Sequence, residues 1–508
     1  MVSKVCFIRD VALWIQICNS LPARDAAAWI GAASRGSEKK ESREAMQIRE
    51  YDVVVLGAGS AGIAAAVAAA RNGARTVLVE GGPTLGGELL TGMTIDGAIN
   101  GKGEQIIGGV LNDLLAICRE MGGFVAPLND WRLIQYFAYD PEIMKIAIPQ
   151  LIYDAGVDVL LYTTAEDVVR KGEEISGVVV RNKTGRTLLT AKAFVDASGD
   201  ADLCYMANAP MLPDEGPGNP QPVSMMFRMA GVETEPLLRF VQQNPDYVAV
   251  GESDAIRGGR TDQQIVDEIY KQGHPCVFFR GNGDLLRGAI ERGEMFPTAL
   301  IMMQPTSPAR KEICINATRV SLKNPLEPES LSLAMRSLMQ QVRQCSDFLI
   351  RNVPGFEKAC LSGLAPRIGI RETRRIEGDY VMTREDVLEA RKRSDGIAKG
   401  CHHVDIHQDG TGQIRIPVAH GGSYDIPLAS LLPKTLSNVV VAGRCLSASR
   451  DAHGSARVMG GCMGMGQAAG ALTAMALRQN RSADLRAVGV DRLRERLLEQ
   501  GAVLSGTA

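Results

Sequence analysis

Two short stretches concentrate the side chains that could handle protons or hold an anion. Residues 370–375, Ile-Arg-Glu-Thr-Arg-Arg, pack three guanidinium groups and one carboxylate together. On a strand, Arg371 and Thr373 would face one side and Glu372 and Arg374 the other. One of those faces can look into an active site, where Arg371 would hold an anion or donate a proton. A lattice of ion pairs between domains accounts for the same residues equally well. The second stretch sets His402, His403 and His407 around Asp405. Histidine changes charge nearest neutral pH, so His402 and His403 are candidates for acid–base work. As metal ligands they are poorly spaced. His-His-x-Asp-x-His on a strand divides its ligands between two faces, and no second cluster accompanies it, so no metal is expected.

Chemistry of another kind is written into residues 51–80. Gly57, Gly59 and Gly62 form G-x-G-x-x-G directly after the apolar run Val53, Val54, Val55, Leu56. The first glycine permits a tight turn, the second lets a pyrophosphate reach the backbone, and the third lets helix and strand pack closely. Ser60 and Ala61 open the helix, whose free N–H groups and positive dipole end suit phosphate. Glu80 closes a second strand, Thr76 to Val79, where its carboxylate can accept from ribose hydroxyls. This unit binds a dinucleotide, and NAD and FAD both fit it.

The remaining elements narrow the choice. Glycines at 81, 82, 86 and 87 put bare backbone beside the turn. Asp140-Pro141-Glu142 starts a helix, with Asp140 as N-cap and Pro141 at the first helical position. Residues 157–196 read as three short strands, over 157–163, 174–182 and 186–197, that lead into Asp-Ala-Ser-Gly-Asp-Ala-Asp at 196–202. There Ser198 and Gly199 let backbone approach the adenosine diphosphate half of a cofactor. This layout is that of a glutathione-reductase-type FAD domain rather than of a simple NAD dehydrogenase. Residues 330–351 form a long helix whose apolar spacing at Leu331, Met335, Leu338, Met339, Val342, Cys345 and Leu349 reads as core. Residues 438–443 return as a buried strand, followed by a glycine-rich loop, an Ala/Gly-rich helix and a closing amphipathic helix over 484–499.

Composition bounds the alternatives. At 508 residues the chain exceeds one core, so two or more domains are expected. Hydrophobic residues at 45% and charged residues at 22% describe an ordinary soluble protein, and a net charge of −2 offers no footprint for nucleic acid or an anionic membrane. Eleven cysteines without a C-x-x-C pair argue against a zinc ribbon, an iron–sulfur cluster or a disulfide framework, and imply reduced thiols in a cytoplasmic protein. Residues 1–45 are unlike the rest. Their apolar stretch is broken by Arg9 and Asp10 and is too short to span a membrane, and Arg35 to Glu44 is polar. They read as a dispensable extension, so a chain starting at Met46 is expected to fold and bind its cofactor.

Residues 85–93, 196–202, 368–383, 404–407, 424–433 and 442–470, together with the unit from Gly57 to Glu80, resemble the FAD-dependent oxidoreductases related to fumarate reductase and succinate dehydrogenase flavoproteins. The resemblance covers about residues 46 to 480. It implies an α/β fold: a glutathione-reductase-type FAD-binding Rossmann domain made from 46–204 and 436–508, with an α+β substrate or capping domain, 205–435, inserted. It implies that Gly57, Gly59, Gly62 and Glu80 hold the adenosine diphosphate part, that Gly86, Gly87 and Glu88 lie near the ribityl chain and flavin, and that Gly443 and Arg444 touch the pyrophosphate or ribityl region. A helix from Met463 and Gly464 to Gly470 would aim its N-terminus at the pyrimidine edge of the flavin, where the reduced form carries negative charge. Residues 453–457, His-Gly-Ser-Ala-Arg, resemble the H-G-A-N-R segment of fumarate reductases, with Ala456 in place of Asn and Val458 in place of Leu. Arg457 would then grip a substrate anion or stabilise the flavin, and His453 would assist or serve as a capping or core residue.

Absences sharpen the expectation. Residues 86–92, Gly-Gly-Glu-Leu-Leu-Thr-Gly, contain no cysteine, which argues against disulfide exchange, and a second dinucleotide fingerprint is missing. Electrons are therefore expected to pass through a small organic substrate or a separate carrier. The leading expectation is hydride transfer between flavin N5 and a small organic, anionic molecule. The rivals are a flavin monooxygenase and a flavin-carrying subunit of an electron-transfer complex.

Overall fold

The computed structural model describes residues 46–213, 220–479 and 484–506. The extension 1–45, and with it the expectation of dispensability, lies outside the described residues. Residues from Arg49 onward form one compact unit, and Met46 to Ile48, which belong to another, are exposed.

The molecule is mixed α/β. A five-stranded parallel sheet runs in the order Val439–Val441, Ala193–Asp196, Val53–Leu56, Thr76–Val79, Asp158–Leu160. Val53–Leu56, Thr76–Val79, Ala193–Asp196 and Val439–Val441 are buried at every residue, which is why they read as unbroken apolar runs instead of alternating. Helix Ser60–Arg71 follows strand Val53–Leu56, and helix Met459–Gln479 packs against it. The contact is backbone to backbone. A Cβ on Gly466 would lie 2.1 Å from the Ala61 carbonyl oxygen, and one on Gly470 would lie 2.0 Å from that of Ala65.

The strands expected over 157–196 are distributed differently. Asp158–Leu160 joins the parallel sheet, while Thr164–Lys171, Glu174–Asn182 and Gly185–Thr190 pair antiparallel beside it. Thr164–Lys171 is largely exposed, so it carries no apolar signal. The chain leaves one sheet for the other at Ala191 and Lys192, which divides the third expected strand into two.

A second apolar cluster is built from residues 223–365. Its antiparallel sheet has the order Val277–Arg280, Leu300–Ser307, Glu312–Asn316, Phe227–Ala230, Cys360–Leu364. Helix Pro328–Asn352 covers it through Leu338, Val342, Cys345 and Leu349, whereas Met335 is 38% exposed. Ile376 to Leu432 contribute their buried apolar residues to the first cluster instead. Residues 370–375 form no strand. They run irregularly between isolated bridges at Gly369 and Ile376, so face alternation does not apply to them. Helix Pro141–Asp154 starts as its sequence implies, with the Asp140 carboxylate accepting from Glu142 N at 3.0 Å. The closing segment divides into a short turn, Leu485–Ala487, and a helix, Val490–Glu499.

Candidate active site

A cavity of about 440 Å³ runs from the glycine turn to the histidine cluster. At one end the chain is pared down to backbone. Gly57 has φ +95°, and a Cβ there would stand 2.5 Å from the Ala197 carbonyl oxygen. A Cβ on Gly62 would stand 1.7 Å from the Gly57 carbonyl oxygen. A Cβ on Gly59 would meet nothing within 4 Å, so its bare backbone opens on the cavity, beside Ser60 and Ala61 at the helix start. Glu80 and Gly81 line the same end. The Glu80 carboxylate accepts from Ala58 N at 2.9 Å and from Gly82 N at 2.7 Å, which braces it and leaves lone pairs for further donors. Exposed helix N–H groups, a side-chain-free turn and a braced carboxylate form a donor set that fits the adenosine diphosphate half of FAD.

Ser198, Gly199, Gly87, Glu88, Gly443 and Arg444 also line the cavity. Asp196, fully buried, locks the Ser198 turn by accepting from Ser198 Oγ at 2.7 Å and Cys204 N at 3.0 Å. Arg444 is bracketed, with Nη2 2.7 Å from Asp200 Oδ1 and Nη1 donating to the Ile370 carbonyl at 2.7 Å. Gly86 stands behind the wall, where a Cβ would meet Leu90 Cδ2 at 2.5 Å. Met463 and Gly464 are not on the cavity. Their helix begins earlier, at Met459, so Met459 and Cys462 face the space expected of them, while Gly464 packs on Ile107 and Ala398.

The other end is polar and buried. Arg371 donates from Nη1 to the Pro222 carbonyl at 2.5 Å and to Ser224 Oγ at 2.6 Å, and among the described residues no carboxylate lies within ion-pair distance of it. Burial, with Arg457 and Arg319 nearby, pulls it down to about 9. Arg457 Nη2 lies 3.6 Å from Asp405 Oδ2, and its buried Nε has no partner among the described residues. Asp405 is the hub. Burial alone would raise it, but the hydrogen bond from His407 and the charge of Arg457 hold it well below the usual carboxylate range.

The histidines are neutral. His402 stacks on His403 with ring centroids 4.0 Å apart, and its Nδ1 donates to the His403 carbonyl at 2.9 Å. Burial lowers His402 to about 4 and His403 well below its ordinary value. His407 Nδ1 accepts from Arg319 at 3.4 Å, so its proton sits on Nε2, 2.9 Å from Asp405 Oδ2. Burial and Arg371 lower it to about 3. Among the described residues no group of three His, Cys, Asp or Glu side chains is placed to hold a metal ion.

His453 sits apart from these groups. It is fully buried, does not line the cavity, and donates from Nε2 to the Arg444 carbonyl at 2.9 Å. It holds the loop that carries Arg444.

Asp96, Asp130, Arg132, Tyr136 and Arg319 also line this end and were not singled out from sequence. Asp96 interrupts the apolar strand Ile95–Ile99, and a carboxylate in a buried strand is the signal that could have found it. Asp130, Arg132 and Arg319 sit in loops with no pattern to mark them.

Residues 52–497 match the family described as FAD dependent oxidoreductase. NADH:fumarate oxidoreductase of Klebsiella pneumoniae (strain 342) is 26% identical over 202 residues, 32% of this chain and 21% of that protein. Thiamine thiazole synthase of Methanococcus maripaludis is 29% identical over 167 residues, 30% of this chain and 58% of that protein. The chain thus spans less than two thirds of either relative's length. Among solved structures, the geranylgeranyl bacteriochlorophyll reductase-like protein of Thermoplasma acidophilum superposes with a TM-score of 0.41 at 14% identity, over 90% of this chain and 85% of that one. With a family match across most of its length and a cradle whose donors suit the cofactor, the chain belongs to the FAD dependent oxidoreductases and is a flavoenzyme.

Proposed function

We propose that this enzyme exchanges a hydride between flavin N5 and a small organic anion held at the Arg371 end of the cavity. The observation that carries the reading is Arg371 itself. A guanidinium largely withdrawn from water is costly unless its charge is matched, and here carbonyl and hydroxyl oxygens stand in for a carboxylate. A substrate carboxylate supplies the missing charge in the bidentate geometry that arginine favours. Arg457 and Arg319 reinforce the positive potential on the same wall. Bound FAD supplies the two-electron chemistry, and the chain supplies positioning, charge and exclusion of water. Neutral His402 and His403 act as hydrogen-bonding walls, because burial keeps both uncharged at neutral pH.

In this reading 46–204 and 436–508 form a glutathione-reductase-type FAD domain, and the second apolar cluster, 223–365, is the core of the substrate-facing domain. Residues 376–432 side with the FAD domain, as their packing favours. Electrons reach or leave the flavin through the substrate or a separate carrier.

The test is an anaerobic panel of small organic acids, each paired with its uncharged amide or ester, added to holoenzyme while flavin absorbance is followed. An acid that bleaches the flavin, with an inert amide and a response cut by at least tenfold in Arg371→Gln, is expected. Bleaching by NADH with oxygen uptake and no response to acids would assign the site to a monooxygenase instead.

A further inference from the structure

Three carboxyl groups line the substrate end of the cavity, and their surroundings separate them. Asp405 is saturated by His407, by Gln413 Nε2 at 2.6 Å and by Arg457. Asp130 Oδ1 caps a loop, accepting from the backbone N–H groups of Arg132, Leu133 and Ile134 at 2.7, 2.7 and 3.0 Å. Asp96 differs from both. It is 7% exposed, and among the described residues the only hydrogen bond to its carboxyl comes from Thr94 Oγ1, which donates to Oδ1 at 2.8 Å. It has no ion-pair partner among them.

The polarity of that contact is fixed by the residue behind it. Thr94 N donates to Gln304 Oε1 at 3.2 Å, which orients the amide and places Gln304 Nε2 2.7 Å from Thr94 Oγ1. The amide is therefore the donor in that second bond, and the single Thr94 hydroxyl proton is left for Asp96 Oδ1. Oδ1 is thereby the acceptor oxygen. An acid proton on Asp96 belongs on Oδ2, the oxygen that no described residue engages. The device spans two sheets, since Asp96 lies on Ile95–Ile99 and Gln304 on Leu300–Ser307, so the carboxyl is held in one orientation by the fold.

We propose that Asp96 is the proton-exchanging carboxyl of this site, and that the substrate is an organic anion with a hydroxyl or amino group on the carbon that exchanges the hydride. This rests on the hydride-transfer reading above. In the oxidative direction the C–H bond breaks and both its electrons leave with the hydrogen to oxidised flavin. The O–H or N–H bond breaks and its proton moves to Asp96 Oδ2, and the electron pair left behind completes the C=O or C=N bond. The reductive direction reverses each movement.

The surroundings suit the role. Burial raises Asp96 to about 7, the Thr94 hydrogen bond opposes this, Asp130 and Asp405 raise it, and Arg132 lowers it. Tyr136 and Cys401, from the neighbouring strand and loop, are uncharged at neutral pH, as are His402 and His403. Asp96 is thus poised where a general acid–base works best, while the histidines are too weakly basic.

Infrared difference spectra of the holoenzyme, titrated across neutral pH, test the carboxyl directly. A protonated-carboxyl band that disappears with a midpoint near 7, is absent in Asp96→Asn and persists in Asp130→Asn is expected. In Thr94→Val the midpoint should move upward, because the bond that favours the ionised form is gone. A band unaffected by Asp96→Asn overturns the assignment. With the hydroxy or amino acid that bleaches the flavin, Asp96→Asn should slow flavin reduction on the order of 10²–10⁴-fold and flatten its pH profile. Loss of the band with an unchanged rate and profile overturns the proton exchange. The infrared readings require no turnover, so a panel without any reducing compound counts against the hydride-transfer reading while the band alone decides the state of Asp96.

Discussion

Arg371 and Asp96 occupy the same cavity with opposite electrostatic problems, and each makes its own forecast. Arg371 carries a charge that protein oxygens only half satisfy. Replacing it with Lys keeps the charge and loses the fork, so affinity for a carboxylate ligand should fall by about tenfold or more, roughly the 1.4 kcal/mol of one strong contact, as read by calorimetric titration. Asp96 carries a pKa raised from 3.8 to about 7, so the folded state binds a proton more tightly than the unfolded one. Stability from this group is present in full below about pH 4 and is lost as pH rises through about 7. Thermal unfolding of Asp96→Asn and of the parent should therefore diverge as pH rises from about 4 to about 7 and stay apart above that, with the variant gaining relative stability of a few kcal/mol, since each tenfold difference in proton affinity between the folded and unfolded states is worth about 1.4 kcal/mol. His453 makes a third forecast. Its ring fills a fully buried site and holds the Arg444 carbonyl, so His453→Ala should lower stability by about 2–4 kcal/mol and weaken FAD retention. A normally stable, FAD-replete variant with a selective loss of turnover would return His453 to the chemistry.

The helices and strands show where the sequence was readable. Val53–Leu56, Ser60–Arg71 and Thr76–Val79 were legible because burial on both faces, glycine geometry and a terminal acid leave independent marks on adjacent residues. Thr164–Lys171 left none, since an exposed antiparallel strand needs neither an apolar run nor alternation. Residues 370–375 misled for a different reason. Their composition announces charge, while their conformation is set by partners distant in sequence: Pro222 and Ser224 for Arg371, Asp202 for Arg374. The small residues of Met459–Gln479 were readable as a close-packing face, but the helix start was not. Gly460 and Gly461, which look like loop residues, are helical because Gly460 packs on Gly97 and Ala98 with no room for a side chain. Gly466→Val and Gly470→Val place atoms inside the Ala61 and Ala65 carbonyls. Each should cost at least the 1–3 kcal/mol typical of overpacking, with FAD lost before global unfolding in a thermal ramp monitored by flavin fluorescence.

For the molecule as a whole, the parallel sheet and its cradle combine segments from both ends of the chain, with the second apolar cluster supplied from the middle. That division was visible in the return of the strand–glycine–helix pattern near residue 440. Of the polar end of the cavity only part was, since Arg371 and Asp405 stood out by residue type, while Asp96, Asp130 and Arg319 reach the same wall from segments distant in sequence. A ligand bound across such a site stabilises by mass action, about 2.7 kcal/mol at a hundredfold excess over its dissociation constant. Stripping FAD should therefore lower the melting temperature by several degrees and restoring it should reverse the change, as scanning calorimetry would read.

The backbone contact between Ser60–Arg71 and Met459–Gln479 also sets a timetable for biosynthesis. When the ribosome has released Ser60–Arg71, the surface that will cover Ala61 and Ala65 has yet to be translated. The Val439–Val441 strand that pairs with Ala193–Asp196 is likewise still to come. The nascent chain thus spends most of its elongation with an alanine-rich face and a sheet edge uncovered. Both are surfaces that chaperones shield, and the cofactor has no complete site to enter until translation has passed Gly470.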